Sequence, residues 1–270
     1  MLWAYTVIYV TSNLDKGVRL FKAQIVSDNI KEFIDTIAPI VDEAKMKIDP
    51  TGITIKAVDP SHVAMIETTL NSGAFNNLEA EEAELGIDVT KFKSVIGVAK
   101  SGEMVDIERN MEMNSLIISI GNLIRAMPLL DMTGMADPKV PNLDLPTVVK
   151  VKAEEVSQGL KASKMVSDHI ELSANEESFR LVCKGENQNR VDLTMNRSQL
   201  NELKAPNDTT SLFSLDYFSL MINSVKNDRM ITISLGNDLP VKIEAELAMD
   251  ENTGAQGSVR FLLAPRIDRD

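Results

Sequence analysis

Apolar residues in this 270-residue chain recur at a spacing of 126. Ile30 is matched by Val156, Ile34 by Leu160, Ile53 by Phe179 and Ile55 by Leu181. Phe92 is matched by Phe218, Ile96 by Ile222, Val105 by Ile231 and Ile107 by Ile233. Identities are few, so what repeats is a pattern of burial. A pattern repeated over this length means two copies of one fold, and 270 residues suit two domains better than a single core. Between the copies runs Asp131–Pro146, with three prolines and a glycine in sixteen residues. Such a stretch suits neither a helix interior nor a central strand, so it reads as an extended connector. The expected domains are residues 21–130 and 147–270, joined by the connector 131–146. Residues 1–20 stand outside the repeat and read as a stray strand or, preferably, as a loose extension or an upstream start. Leu2–Val10 is apolar but short and has no basic residue before it, unlike a secretory leader.

Within each copy strands outnumber helices. Phe21–Ile25 alternates as a strand does. Ser27-Asp28 offers an N-cap to a helix carrying Ile30, Phe33, Ile34 and Ile37 on one face, closing near Pro39. Ala44–Ile48, Ile53–Val58 and Val63–Leu70 read as strands with turns at Pro50-Thr51-Gly52 and Asp59-Pro60-Ser61. Glu79–Glu84 reads as an acidic loop, and Leu85–Val89 as a strand. A second helix then places Phe92, Val95, Ile96 and Ala99 on one face and ends at Gly102. Met104–Arg109, Leu116–Ile120 and Leu123–Leu129 complete the unit as strands. The fold class predicted is α+β, two similar domains of antiparallel sheet with two helices each.

Helical projection at about 100° per residue puts Lys31, Lys93, Lys100, Lys161, Lys164 and Lys226 in one polar sector of the four helices. Lysine on a solvated helix face is commonplace. The alternative is a shared cationic surface for phosphates, read without sequence preference. A net charge of −12 argues against nucleic acid unless positive charge is gathered in one place. Glu32 and Asp35 share the outer face of the first helix and weaken that case. No aromatic residues interleave the lysines, so duplex backbone suits this surface better than stacked single strands.

No catalytic constellation stands out. His62 and His169 occupy non-equivalent places, and no phosphate loop, dinucleotide fingerprint or Cys/His metal spacing is present. No metal and no cofactor is expected, and an enzyme is disfavoured; a β-rich metal-dependent hydrolase is the remote alternative. The single cysteine, Cys183, excludes an internal disulfide and fits a small buried residue in a reducing compartment. No apolar run approaches the roughly 20 residues of a membrane-spanning helix, so no membrane role is expected. Phe261–Ala264 reads as an apolar strand broken at Pro265, either a frayed edge strand or an exposed lip for a partner peptide.

Five motifs, met in order, carry a resemblance. They are Val41-Asp42-Glu43-Ala44, Ala57-Val58-Asp59-Pro60-Ser61-His62-Val63 and Met165-Val166-Ser167-Asp168-His169-Ile170. Ser211-Leu212-Phe213-Ser214-Leu215-Asp216-Tyr217 and Leu262-Leu263-Ala264-Pro265-Arg266-Ile267 complete the set. From about Phe21 to the C-terminus the chain resembles the sliding clamp family, the proliferating cell nuclear antigen of eukaryotes and archaea, and the archaeal form most closely. The resemblance implies a clamp fold forming a three-subunit ring around double-stranded DNA, with the lysine-bearing helices turned inward. It implies a cytoplasmic, nucleoid-associated processivity factor for replication and repair. Partners would be DNA polymerase, clamp loader, flap nuclease and ligase, bound through short peptide motifs. The docking positions would be Val58, His62, Val63, Met65, Val140, Pro141, Pro240, Leu262, Ala264, Pro265, Arg266 and Ile267. Subunits would join by edge strands carrying Leu123, Arg125, Met127 and Leu129 on one side and Asn189, Val191 and Leu193 on the other. Ser94, Gly97, Gln158 and Asn223 stand where the family carries lysines, and a subunit of a hetero-oligomeric ring is the alternative to a self-assembled one.

Overall fold

Strand Phe21–Val26 (β1) buries Phe21, Ala23 and Ile25 and feeds directly into helix Ser27–Ile37 (α1), the opening of a unit that the chain builds twice. A computed structural model describes residues 20–135 and 137–266. The proposed extension at residues 1–20 therefore lies almost wholly outside the described residues, as does Ile267.

After α1 come β2 (Glu43–Asp49), β3 (Gly52–Val58), β4 (Ala64–Asn71), β5 (Phe75–Ala80) and β6 (Ala83–Asp88). Helix α2 (Val89–Gly97) and strands β7 (Met104–Asn110), β8 (Ser115–Ile120) and β9 (Leu123–Pro128) finish the first unit. The second unit repeats the order as β10 (Thr147–Lys152), α3 (Ala153–Ser163), β11 (His169–Ala174), β12 (Ser178–Lys184) and β13 (Arg190–Asn196). It continues with β14 (Glu202–Lys204), β15 (Thr209–Ser214), α4 (Leu215–Ser224), β16 (Met230–Leu235), β17 (Val241–Asp250) and β18 (Gly254–Leu263).

Strand order shows the duplication at the level of pairing. One unit contributes β5-β1-β7-β8-β9 and β4-β3-β2-β6, the other β14-β10-β16-β17-β18 and β13-β12-β11-β15. All of the ladders are antiparallel, as hairpin-linked strands favour, and β18 pairs with β4, fusing two of these sheets into one of nine strands. The alternating strands turn one face into a single apolar core shared with the helices, including Phe33, Phe92, Phe218 and Phe261. Substitution within the repeat is compensated in volume. Phe33 in α1 is replaced in α3 by Gly159, and a Cβ there would come within 2.6 Å of the Leu193 side chain, which fills the space from β13.

Several expectations need correction. Glu79–Glu84 is not a loop: Glu79 ends up in β5 and Glu84 in β6, leaving only Glu81 and Glu82 between strands. Strand β5 was hidden because Phe75–Ala80 has no fully buried residue and so no clean alternation. Ser27 and Asp28 do not cap α1. The Ser27 hydroxyl donates to the Lys100 carbonyl, and the Asp28 carboxylate accepts from Gly102 N at 2.6 Å, tying the helix start to the turn after α2. Helix α2 ends at Gly97, before Gly102. Phe261–Leu263 is neither frayed edge nor exposed lip, because β18 is flanked by β17 and β4 and all three residues are buried.

Candidate functional site

On the sheet face turned away from the helices, Val58 lies opposite Met65 and Met65 opposite Leu262 across three adjacent strands. Their neighbours Ala57, Ile66 and Phe261 point the other way into the core, which forces this row outward. His62 tops the β3–β4 turn in a left-handed conformation (φ 57°) and is exposed. That turn is held by the buried Asp59, whose carboxylate accepts from the backbone N–H groups of Ser61, Val63 and Ala64 at 2.9, 2.7 and 2.6 Å. Ala264 N donates to Val63 O at 2.9 Å, bringing the chain's end alongside.

Over this row passes the connector. Among its described residues it holds no helix or strand, only a turn at Thr133-Gly134. Leu130 N donates to Gly86 O at 2.8 Å at its start, and Lys47 Nζ lies 2.7 Å from the Asp137 carboxylate further along. That partner lifts the Lys47 ammonium pKa and holds the Asp137 carboxyl below its usual range. Val140, Pro141, Asn142 and Leu143 roof a hollow of about 110 Å³ floored by Lys242, Arg260 and Leu262. The structure thus brings Val58, Val63, Met65, Val140, Pro141, Leu262 and Ala264 to one surface. Arg266 turns toward β15 and β11 of its own unit, donating its backbone N–H to Leu212 O at 2.7 Å and contacting the His169 ring. Pro240 and Pro265 are half-buried.

On the helix side the six lysines separate into two sets. Lys93 is paired with Asp35 at 2.8 Å, Lys226 with Glu32 at 3.0 Å, and the Lys31 ammonium is spent on the Ala99 carbonyl. Lys100, Lys161 and Lys164 are exposed and have no ion pair among the described residues. Lys100 and Lys226 lie beyond the ends of α2 and α4, and Lys164 is the residue at the end of α3, so a helical projection overstated their alignment. The missed partner is Glu32. It is 3% exposed, where a lone carboxylate would be costly, and it accepts from Lys226, Arg229 and the backbone N–H of Ala248. An acidic residue on an apparently polar helix face hid that role.

The predicted joining strands are open edges. β9 ends one sheet and β13 another, and their residues face solvent there, Leu123 at 46% exposure. Leu123 and Arg125 are exposed, Val191, Leu193 and Leu129 half-buried, and Met127 buried against the core. Cys183 is buried, which pushes its thiol pKa up. Among the described residues no group of three His, Cys, Asp or Glu is placed to hold a metal ion, and no helix is long and apolar enough to cross a membrane.

Family models for the N-terminal and C-terminal domains of proliferating cell nuclear antigen match residues 19–127 and 139–266. The chain belongs to the proliferating cell nuclear antigen family. Among its relatives, the DNA polymerase sliding clamp of Methanococcoides burtonii is 38% identical over 252 residues, covering 93% of this chain and all of the relative. The sliding clamp of Methanosarcina mazei is 39% identical over the same length and coverage. Among solved structures, that of the C-terminal region of FEN-1 bound to A. fulgidus PCNA has a clamp chain 25% identical to this one. It superposes with a TM-score of 0.84 and covers 93% of this chain and all of its own. PCNA from Thermococcus kodakaraensis shares the fold at a TM-score of 0.82 and 24% identity. The DNA clamp fold of this family is therefore the fold described above.

Proposed function

We propose that this chain is a sliding clamp: three copies close into a ring around duplex DNA and tether replication and repair enzymes to it without performing chemistry themselves. The observation that carries this reading is an unfinished pairing. Strands β18 and β4 pair within the chain, whereas their counterparts in the duplication, β9 and β13, are left open. An open edge invites pairing with another chain, and pairing β9 of one copy with β13 of the next repeats head to tail until a ring closes.

The hydrogen bonds fix the correspondence. Leu130 N to Gly86 O matches Arg266 N to Leu212 O, aligning Met127 with Leu263, Arg125 with Phe261 and Leu123 with Val259. Asp59 N to Ala64 O matches Gly185 N to Asn189 O, aligning Asn189 with Ala64, Val191 with Ile66 and Leu193 with Thr68. Carrying over the β18–β4 register puts Leu123 opposite Leu193, Arg125 opposite Val191 and Met127 opposite Asn189.

Helices on one face then line the hole, with Lys100, Lys161 and Lys164 as the freest phosphate contacts, Lys93 and Lys226 offset by carboxylates and Lys31 hydrogen-bonded to a backbone carbonyl. Few unpaired cations suit a loose, salt-sensitive hold that permits sliding. The outer row beneath Val140 and Pro141 receives the peptide tails of polymerase, clamp loader, flap nuclease and ligase. The FEN-1 region seen on the A. fulgidus clamp supports a nuclease among them. The domains are taken as residues 21–130 and 147–270 about the connector 131–146. The test is topological. Protein loaded on closed circular DNA should remain bound through gel filtration and be lost once the circle is cut. Equal retention on cut and closed DNA would refute encirclement.

A further inference from the structure

The junction between the two domains of one chain carries three fastenings built on charged side chains, besides its strand ladder and a hydrogen bond from the Thr68 hydroxyl to Ser258 O at 3.3 Å. On the helix side, Glu32 accepts from Lys226 at 3.0 Å, from Arg229 at 2.9 and 3.2 Å and from Ala248 N at 3.2 Å. At the β3–β4 turn, the Tyr217 hydroxyl of the second domain donates to Asp59 of the first at 2.6 Å. On the outer face, Arg260 bridges Glu67 at 3.1 Å and Glu244 at 2.9 Å.

Each fastening can be sought at the seam between copies by the alignment of the two halves. The counterpart of Glu32 is Gln158, exposed on α3, and those of Lys226 and Arg229 are Lys100 and Glu103. A neutral amide thus replaces the carboxylate, and one of its two cations becomes an acid that already accepts from Lys100 N. Asp59 corresponds to Gly185, where a Cβ would lie 2.3 Å from Val166 O, and Tyr217 to Lys91, which is held by Asp88 at 2.7 Å. Arg260 and Glu67 correspond to Ile124 and Asp192. Ile124 is 71% exposed, and Asp192 is already engaged by Arg180 and Arg190 of its own chain. The long β17–β18 hairpin, whose left-handed Ala248 within β17 (φ 49°) supplies that N–H, is also missing from the seam, where β8 and β9 meet in a tight turn at Gly121-Asn122.

We propose that the subunit seam keeps the ladder of the interdomain junction but lacks all three of its charged fastenings, so that it is a salt-tolerant joint held mainly by backbone pairing and apolar side chains. The inference rests on the ring reading above. What remains at the seam is backbone pairing together with Leu123, Ile124, Met127, Val191 and Leu193, with Arg125 and Asn189 as polar members of the same ladder. Contacts of this kind weaken little when salt is raised, whereas exposed ion pairs weaken markedly.

Subunit exchange between donor-labelled and acceptor-labelled rings tests this by fluorescence transfer. Wild-type exchange should change by less than about twofold between about 0.1 and 1 M salt. The double variant Gln158→Glu, Glu103→Arg rebuilds the carboxylate clamp and should exchange on the order of tenfold more slowly at low salt. That gain should vanish at high salt. Gln158→Glu alone, at an exposed position facing Lys100, should slow exchange in the same direction by less. Exchange in both variants no slower than wild type, with the trimer intact, would overturn the proposal. Wild-type exchange that accelerates steeply with salt would overturn it too. A wild-type chain that forms no ring would instead refute the ring reading on which the inference stands.

Discussion

Asp59 shows how one buried side chain serves both fold and site. Burial pushes its carboxyl pKa up, but the Tyr217 hydroxyl and three backbone N–H groups outweigh burial and hold it below the usual carboxylate range. The neighbouring carboxylate in turn raises the Tyr217 phenol. A depressed acid stabilises the fold fully above its unfolded value and loses that contribution as pH falls through the folded one. A raised phenol contributes below its unfolded value and is lost as pH rises through the folded one. The link should therefore be intact between about pH 4 and about pH 10. Asp59→Asn should cost about 1.5–3 kcal/mol in chemical denaturation at pH 7 and flatten the acid limb of the stability curve. An unchanged acid limb would show that the hydrogen bonds to Asp59 contribute nothing. Glu32→Gln should also lower stability, by about 1–3 kcal/mol, because Arg229 then loses its charged acceptor. For DNA, Lys100, Lys161 and Lys164 changed together to glutamate should weaken loading and lower its salt dependence while leaving native mass unchanged. Full loading would remove these lysines from the contact surface. Residue pairing of this sort was hardly legible in sequence. Asp59 is remote from Tyr217 along the chain, and Glu32 from Lys226, so no local spacing reveals either pair.

At the level of elements the sequence was far more readable. Strands with one buried face declared themselves by alternation, and the four helices by their apolar stripes. What failed were elements whose burial is partial: β5, with no fully buried residue, and the short β14. Helix ends were misplaced where a side chain serves a neighbouring turn, as Ser27 and Asp28 do. Central strand β18 reads from sequence as a frayed edge or an exposed lip because its partner β4 comes from the other copy, and sequence alone does not show which strands meet across a duplication. The prolines account for the lack of helix and strand among the described residues of 131–146, while the placement of Val140 and Pro141 over Leu262 depends on tertiary structure. Val140→Ala with Pro141→Ala should lower affinity for a partner-derived peptide at least about tenfold, by loss of apolar contact and of preorganisation. Calorimetric titration measures this directly, and unaltered affinity would place the docking row elsewhere.

For the whole molecule, the duplication matters because it makes one junction predict another. The chain displays the interdomain ladder in full, and the proposed ring forms its second instance between copies. A negatively charged protein can still surround DNA if its few unpaired cations gather on the helix side and its acids elsewhere. The most direct test of this account is the native mass of the purified chain, measured by light scattering at micromolar concentration. The account predicts three times 29.8 kDa for the wild type and the single-chain mass of 29.8 kDa for Leu123→Arg, which places a charge opposite Leu193. A wild-type chain that stays at 29.8 kDa, or a Leu123→Arg variant that still assembles fully, would contradict it.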